Sequence, residues 1–171
     1  DLGLAAAGTH INARSFDDKS MQKTIDFHKA IGCKYLIAPG DKRFSDPEGS
    51  KVYAELMVKA SEALKPHGLH CGHHNHTSEF KKTGNGDETY WDLFAERTNK
   101  DVVLQQDVGW TTHAKLDAAA LIRKHPGRTM ITHFKPTTLS KGLKPIIGQD
   151  SVPWKPIIKA CREVGGTEWF T

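Results

Sequence analysis

The sequence predicts an α/β fold in which helices cover a parallel sheet. Six short apolar segments begin near residues 4, 34, 69, 102, 129 and 167. Helical patterns fill the intervals between them, and this spacing suits one strand followed by one crossover helix. An acid or a histidine stands near the end of most of the segments, where parallel α/β folds gather their reactive side chains.

Each strand is predicted where a short run of apolar or small residues ends at a turn signal. These runs cover residues 4–11, 34–38, 69–76, 102–107, 129–134 and 167–171. Each helix is predicted where apolar residues recur every three or four positions, in most cases before a glycine or a proline. These stretches cover residues 21–28, 47–64, 90–97, 117–124 and 154–164.

A chain of 171 residues predicts one domain, to which we assign residues 1–171. Hydrophobic and charged residues make up 37% and 26% of the chain, a composition that supports a packed core and argues against disorder. A closed eight-stranded barrel takes about 250 residues. Six strands therefore fit either an open, doubly wound sheet or the later part of a barrel whose first two strand–helix units lie before Asp1.

Composition and charge argue against two classes of partner. The formal charge of +4 is mild and the basic residues are scattered, so no nucleic-acid footprint is predicted. No apolar run approaches the roughly 20 residues of a membrane helix, and residues 1–20 show no signal-peptide pattern. Three widely spaced cysteines build no disulfide framework, which fits a reducing compartment and favours a cytoplasmic location. An exported form stays open because the chain begins without Met, and so does a homo-oligomer.

Three residues near strand ends predict a metal site. Glu79, Asp107 and His133 follow or end three successive predicted strands, so their side chains can converge above one edge of the sheet. Two carboxylates and one imidazole form a hard donor set, which favours Mn²⁺ or Mg²⁺ and admits Co²⁺ or Zn²⁺. Such an ion can polarise a carbonyl or hydroxyl oxygen. Taken singly, Asp107 is also a common turn residue and His133 a common buried histidine.

Histidine is the unusual residue of this composition, with ten copies, five of them between His67 and His76. Strand alternation places His74 and His76 on one face and His73 on the other. A single structural zinc site in this tract is therefore not expected. On the next strand, Gln105 shares the face of the strand-end aspartate and predicts a polar interior.

Five ordered segments match the pattern of one known family. Gly72–Phe80 is similar to G-Y-H-N-H-x-x-E-F, Gln105–Trp110 to L-D-V-G-W, and His133–Lys135 to H-x-K-D. Ile147–Gly148 and Trp154–Ile157 are similar to the v-G-x-G-x-x-x-W-x-x-I stretch that follows. Together these segments resemble the sugar phosphate isomerase/epimerase family of the xylose isomerase-like TIM barrels. The ordered set carries the resemblance, which runs from about residue 3 to the last residue.

The resemblance implies a (β/α)8 TIM barrel, here a partial barrel of about six strands that lacks the first two βα units and the end of the last strand. It implies a divalent metal ion held by Glu79, Asp107 and His133, with a further glutamate that would fall just beyond Thr171. It also implies a small carbohydrate substrate, and two glutamates that flank it and move a proton through an enediolate.

On the same basis we expect Glu79 and His76 to be the catalytic residues. The substrate hydroxyls are expected to contact His10, His74, His76, Trp110 and Lys135. Related members epimerise ketoses, isomerise sugars or dehydrate keto-inositols, so an isomerase is expected and a lyase stays open. Trp110 and Pro136 stand where epimerase relatives carry a histidine and an acid, which argues against a simple ketose 3-epimerase.

Two other functions stay open on the sequence alone. The same barrel architecture hosts zinc-dependent endonucleases that act at abasic DNA sites. These need more metal ligands and a basic DNA-binding face, which the evenly spread charge does not provide. The other alternative is a non-catalytic carbohydrate-binding fragment, because a partial barrel lacks the fourth ligand and leaves two sheet edges unpaired.

Overall fold

Six short parallel strands form the inner layer of the molecule. The computed structural model describes residues 3–171. β1 to β4 pair in chain order as one parallel sheet, and β5 pairs in parallel with β6. The strands are β1 (Thr9–His10), β2 (Tyr35–Ala38), β3 (His70–His74), β4 (Val103–Gln105), β5 (Ile131–Thr132) and β6 (Trp169–Phe170).

The two groups of strands are joined just beyond the ends of β4 and β5. Asp107 and His133 form a parallel bridge. The His133 N–H donates to the Gln106 carbonyl oxygen at 3.0 Å, and the His133 carbonyl accepts the Val108 N–H at 3.1 Å. The six strands therefore follow one another in chain order, and this junction brings the segments after β4 and β5 side by side.

Helices connect successive strands, as parallel pairing requires. The helix α3 begins with a capping box in which Thr89 and Asp92 exchange side-chain and backbone hydrogen bonds. Three 3₁₀ turns (Ala13–Phe16, Lys65–His67 and Ser78–Phe80) and a π turn (Cys161–Gly165) complete the connections. The helices are α1 (Asp18–Ala30), α2 (Gly49–Leu64), α3 (Tyr90–Arg97), α4 (Val108–His113), α5 (Ala118–Lys124) and α6 (Trp154–Ala160).

Both faces of the sheet are buried, which explains why the strands contain runs of apolar residues. On β2, Tyr35 and Ile37 pack with Val103 of β4 and Ile131 of β5 on one face. Leu36, on the opposite face, packs in the larger core beneath α1, α2 and α3. The residues of the candidate site lie at or just beyond the carboxyl ends of the strands.

The predicted parallel α/β fold is confirmed, and all six predicted strands are present in shortened form. The shortening is greatest for β1, where the predicted run 4–11 forms ladder pairs only at Thr9 and His10. The short helix α4 was not predicted, because residues 108–113 carry no apolar periodicity. No helix within residues 3–171 combines the length and apolarity of a bilayer crossing.

Candidate metal centre

The carboxyl ends of the parallel strands bring the predicted site residues to one edge of the sheet. His10 is the last residue of β1 and His74 the last residue of β3. Asp107 follows β4 by two positions, and His133 follows β5 directly. Parallel strands place all these ends on the same side of the fold, where α/β proteins form their sites.

Three of these side chains form a cluster with metal-site dimensions. One ligand atom each from His74, Asp107 and His133 lies within 4.8 Å of the others. Asp107 Oδ2 is 2.9 Å from His133 Nδ1 and 3.6 Å from His74 Nε2. The Asp107 side chain is fully buried and that of His74 is 3% exposed, whereas that of His133 is 39% exposed. The cluster is therefore open to solvent from the His133 side.

Two atoms of the cluster, Asp107 Oδ2 and His133 Nδ1, face each other at 2.9 Å, and in the described part of the chain neither forms a regular hydrogen bond. The other Asp107 oxygen, Oδ1, accepts the Trp110 N–H at 2.8 Å and caps α4. Burial lowers the pKa of His74 to about 4, against the opposing effect of Asp107, so His74 is neutral at pH 7 and carries a lone pair. A carboxylate and two imidazoles whose ligand atoms converge in this way fit a divalent transition-metal ion.

Asn75 holds the aspartate in place, and sequence reasoning did not identify it. Its side-chain oxygen accepts the Asp107 N–H at 2.8 Å, and its side-chain nitrogen donates to Thr111 Oγ1 at 3.2 Å. Asn75 is fully buried. The position of this asparagine between two histidines at the end of a strand is a usable signal. A buried side-chain amide needs several hydrogen-bond partners, so it indicates a residue that holds its neighbours in place.

The predicted ligand Glu79 lies outside this cluster. It sits in the 3₁₀ turn Ser78–Phe80 and is 3% exposed. Its Oε2 accepts the His76 backbone N–H at 2.8 Å, and its Oε1 lies 3.5 Å from His73 Nε2. His73 points to the opposite face of β3, as alternation predicted, and its Nδ1 is 2.9 Å from Tyr53 Oη. The turn thus directs the Glu79 carboxylate onto the backbone beside the site.

The residues predicted to bind substrate line the cluster. The ring centroid of His74 lies 4.9 Å from that of His10 and 4.8 Å from that of His76. Trp110 lies 5.6 Å from His76, and the Lys135 ammonium lies 3.8 Å from the centroid of the Trp110 ring. A Cβ atom at Gly109 would clash with the Lys135 carbonyl oxygen, so the glycine permits this close approach.

Comparisons with known proteins agree on the fold. A family model described as "Xylose isomerase-like TIM barrel" matches residues 3–171. Two crystal structures of a sugar phosphate isomerase/epimerase from Parabacteroides distasonis superpose with TM-scores of 0.75 and 0.73, at 22% and 21% identity. Each covers 98% of this chain, and the chain spans 62% and 68% of their lengths.

A third solved structure is that of the IOLI protein, described as containing a zinc atom. It superposes with a TM-score of 0.63 at 15% identity and covers 89% of this chain, which spans 58% of it. At these identities the three structures establish the fold alone. No curated protein matches the sequence.

Proposed function

Because the chain belongs to the xylose isomerase-like TIM barrel family, we propose that it carries the metal centre of a divalent-metal-dependent sugar isomerase or epimerase. The observation that carries the proposal is the convergence of His74, Asp107 and His133, whose ligand atoms lie within 4.8 Å of one another. Within residues 3–171, Asp107 Oδ2 and His133 Nδ1 face only each other, at 2.9 Å, and form no regular hydrogen bond. A buried carboxylate needs a positive partner or several hydrogen bonds. A cation bound between the carboxylate and the two imidazoles would provide that partner.

The proposed ligands are His74 Nε2, Asp107 Oδ2 and His133 Nδ1. When bound, a divalent ion would polarise the carbonyl and hydroxyl oxygens of a sugar and make the neighbouring carbon more acidic. This set contains two imidazoles and one carboxylate, so it is softer than the two-carboxylate set predicted from the sequence. It therefore favours Mn²⁺, Co²⁺ or Zn²⁺ over Mg²⁺.

The proton transfer is assigned to His76. Its ring lies beside His74 and Trp110 at the mouth of the cluster, and an imidazole can both accept and return a proton. The backbone hydrogen bond from His76 to Glu79 fixes the segment that carries this ring. Glu79 thus supports the reaction as an anchor of His76.

A small carbohydrate is the proposed substrate. Trp110 offers an aromatic ring, with the Lys135 ammonium 3.8 Å from its centroid, and His10 offers an imidazole beside His74. An aromatic surface combined with a few directed polar groups is typical of small-molecule sites. An isomerase and a dehydratase both begin by removing a proton next to a carbonyl, so the same residues serve either outcome.

Metal titration tests the centre. We expect calorimetry to detect one Zn²⁺ or Mn²⁺ ion per chain and Asp107→Asn to abolish that binding. Asp117→Asn is the matched control, because Asp117 caps α5 as Asp107 caps α4 but lies outside the cluster. Asparagine is an equally good cap, so both variants should fold. A wild-type protein without metal affinity, or equal binding by Asp107→Asn, would reject the proposal.

A turnover assay tests the reaction class. The metal-loaded protein is incubated in D₂O with a panel of ketoses and aldoses, and deuterium incorporation next to the carbonyl is followed by NMR. His76→Gln should remove the exchange while metal affinity is retained. Exchange that persists in His76→Gln would assign the proton transfer to another residue.

A further inference from the structure

Gln105 links two histidines of the site through one atom. Its Oε1 lies 2.9 Å from His74 Nδ1 and 2.8 Å from His10 Nε2. Gln105 is 3% exposed and is the register partner of His74 across the β3–β4 ladder, so the two side chains stand next to each other on the same face of the sheet. The contact between Gln105 and His74 is therefore fixed by the pairing of β3 with β4.

The chemistry of the amide decides which ring nitrogens carry hydrogen. A carbonyl oxygen has two lone pairs and no proton, so it can accept from both rings at once. His74 then carries its hydrogen on Nδ1 and has a lone pair on Nε2. That atom lies 3.6 Å from Asp107 Oδ2, too far for a hydrogen bond, whereas His133 Nδ1 lies 2.9 Å from the same oxygen.

The opposite orientation of the amide would have the opposite effect. An amide nitrogen facing both rings would need a lone pair on His74 Nδ1 and would move the hydrogen of this neutral ring to Nε2. That hydrogen would point at Asp107 and the position of the ion, so His74 could not act as a ligand. Whether His74 can bind a metal through Nε2 therefore depends on the orientation of the Gln105 amide.

We propose that Gln105 is a positioning residue that holds His74 as the Nδ1–H tautomer and thereby directs the Nε2 lone pair at the metal position. The inference rests on the proposed function for its purpose, because it assumes that His74 is a ligand. It adds a residue that touches neither ion nor substrate. Mutation of a residue that hydrogen-bonds to a metal ligand typically lowers metal affinity by about 10–100-fold.

The first test reads the tautomer in the metal-free wild-type protein. Long-range ¹H–¹⁵N NMR distinguishes Nδ1–H from Nε2–H histidine, and the His74 signals are assigned by their loss in His74→Gln. The Nδ1–H pattern is expected for His74. An Nε2–H pattern would overturn the proposal, and this result needs neither a metal nor a Gln105 variant that folds.

The second test measures Zn²⁺ affinity by competition with a chromophoric chelator. Gln105→Leu should weaken binding by about 10–100-fold, and Gln105→Glu should restore it, because a carboxylate oxygen accepts the same N–H groups. Gln105→Glu is also the matched control for packing, because it keeps the size of the side chain and an accepting oxygen. Equal affinities for the wild type and Gln105→Leu, or equal losses in Gln105→Leu and Gln105→Glu, would overturn the proposal.

The two tests separate this inference from the proposed function. If the wild-type protein binds neither Zn²⁺ nor Mn²⁺, the proposed function fails, while the tautomer in the metal-free protein still decides the role of Gln105. If the wild type binds Zn²⁺ and His74 shows the Nε2–H pattern, the proposed function survives and the inference fails.

Discussion

Substitution of Glu79 by glutamine distinguishes a metal ligand from a structural anchor. The sequence pattern predicts a ligand, whereas in the structure the carboxylate accepts the His76 N–H at 2.8 Å and lies 3.5 Å from His73. An anchor of this kind stabilises the turn after β3. We therefore expect Glu79→Gln to lower the stability of the protein and to leave its Zn²⁺ affinity close to that of the wild type.

The magnitude follows from the titration of the carboxyl group. Burial by itself raises the pKa of Glu79, but the adjacent His73 and the His76 N–H outweigh burial and lower it from 4.5 to about 2. Since one pKa unit is worth about 1.4 kcal/mol, the shift sets an upper limit of roughly 3 kcal/mol of stability. Burial lowers the pKa of His73, so this histidine is neutral at pH 7 and contributes less than a charged partner would. Glutamine keeps an oxygen that can accept the His76 N–H, so the expected loss at pH 7 is about 1–3 kcal/mol.

Urea unfolding at neutral and acidic pH is the assay. The folded-state pKa of Glu79 is depressed, so its contribution is complete above about pH 4.5 and is lost as the pH falls toward 2. The stability difference between wild type and Glu79→Gln should therefore shrink on acidification. Glu55→Gln, at an exposed position of α2, should change stability by less than about 0.5 kcal/mol.

Two results would refute the anchoring role. The first is a loss of Zn²⁺ affinity in Glu79→Gln as large as that in Asp107→Asn, because it would make Glu79 a ligand. The second is an unfolding midpoint in urea equal to that of wild type at neutral pH, because a buried carboxylate with these contacts cannot be replaced without cost.

Two further substitutions test packing and surface charge. Arg128→Met should lower the free energy of unfolding by roughly 2–4 kcal/mol in urea, because the buried guanidinium donates to the carbonyl oxygens of Val102 and Ala95, which would lose that partner; an unchanged midpoint would contradict this. Lys34→Ala should cost less than about 1 kcal/mol, and less still at high salt, because its ion pair with Glu168 at 2.7 Å is solvent-exposed. A cost that does not change with salt would contradict the second expectation.

The order of strands and most helices could be predicted because each depends on local periodicity. The lengths of the strands could not be predicted, because a residue belongs to a strand only where it pairs with a residue of the neighbouring strand. Residues 4–8 have the composition of a strand, yet the ladder between β1 and β2 includes only Thr9 and His10 of β1. The helix α4 begins at the Asp107 cap and packs closely on Lys135 through Gly109, and neither feature produces an apolar repeat.

The candidate site shows where prediction from strand position stops. Alternation and strand ends were enough to bring Asp107 and His133 together, because both lie within two residues of a strand whose direction is known. Glu79 lies five positions beyond the end of β3, and the 3₁₀ turn after the strand determines where its carboxylate points. The resemblance predicts His74 as a substrate contact, whereas we propose it as a ligand. That proposal draws on its contact with Gln105, 31 positions away, which the sequence does not reveal. The sequence therefore predicts where a residue at the end of a strand lies. Whether that residue can bind a metal depends also on the residue opposite it on the neighbouring strand, which the sequence does not identify.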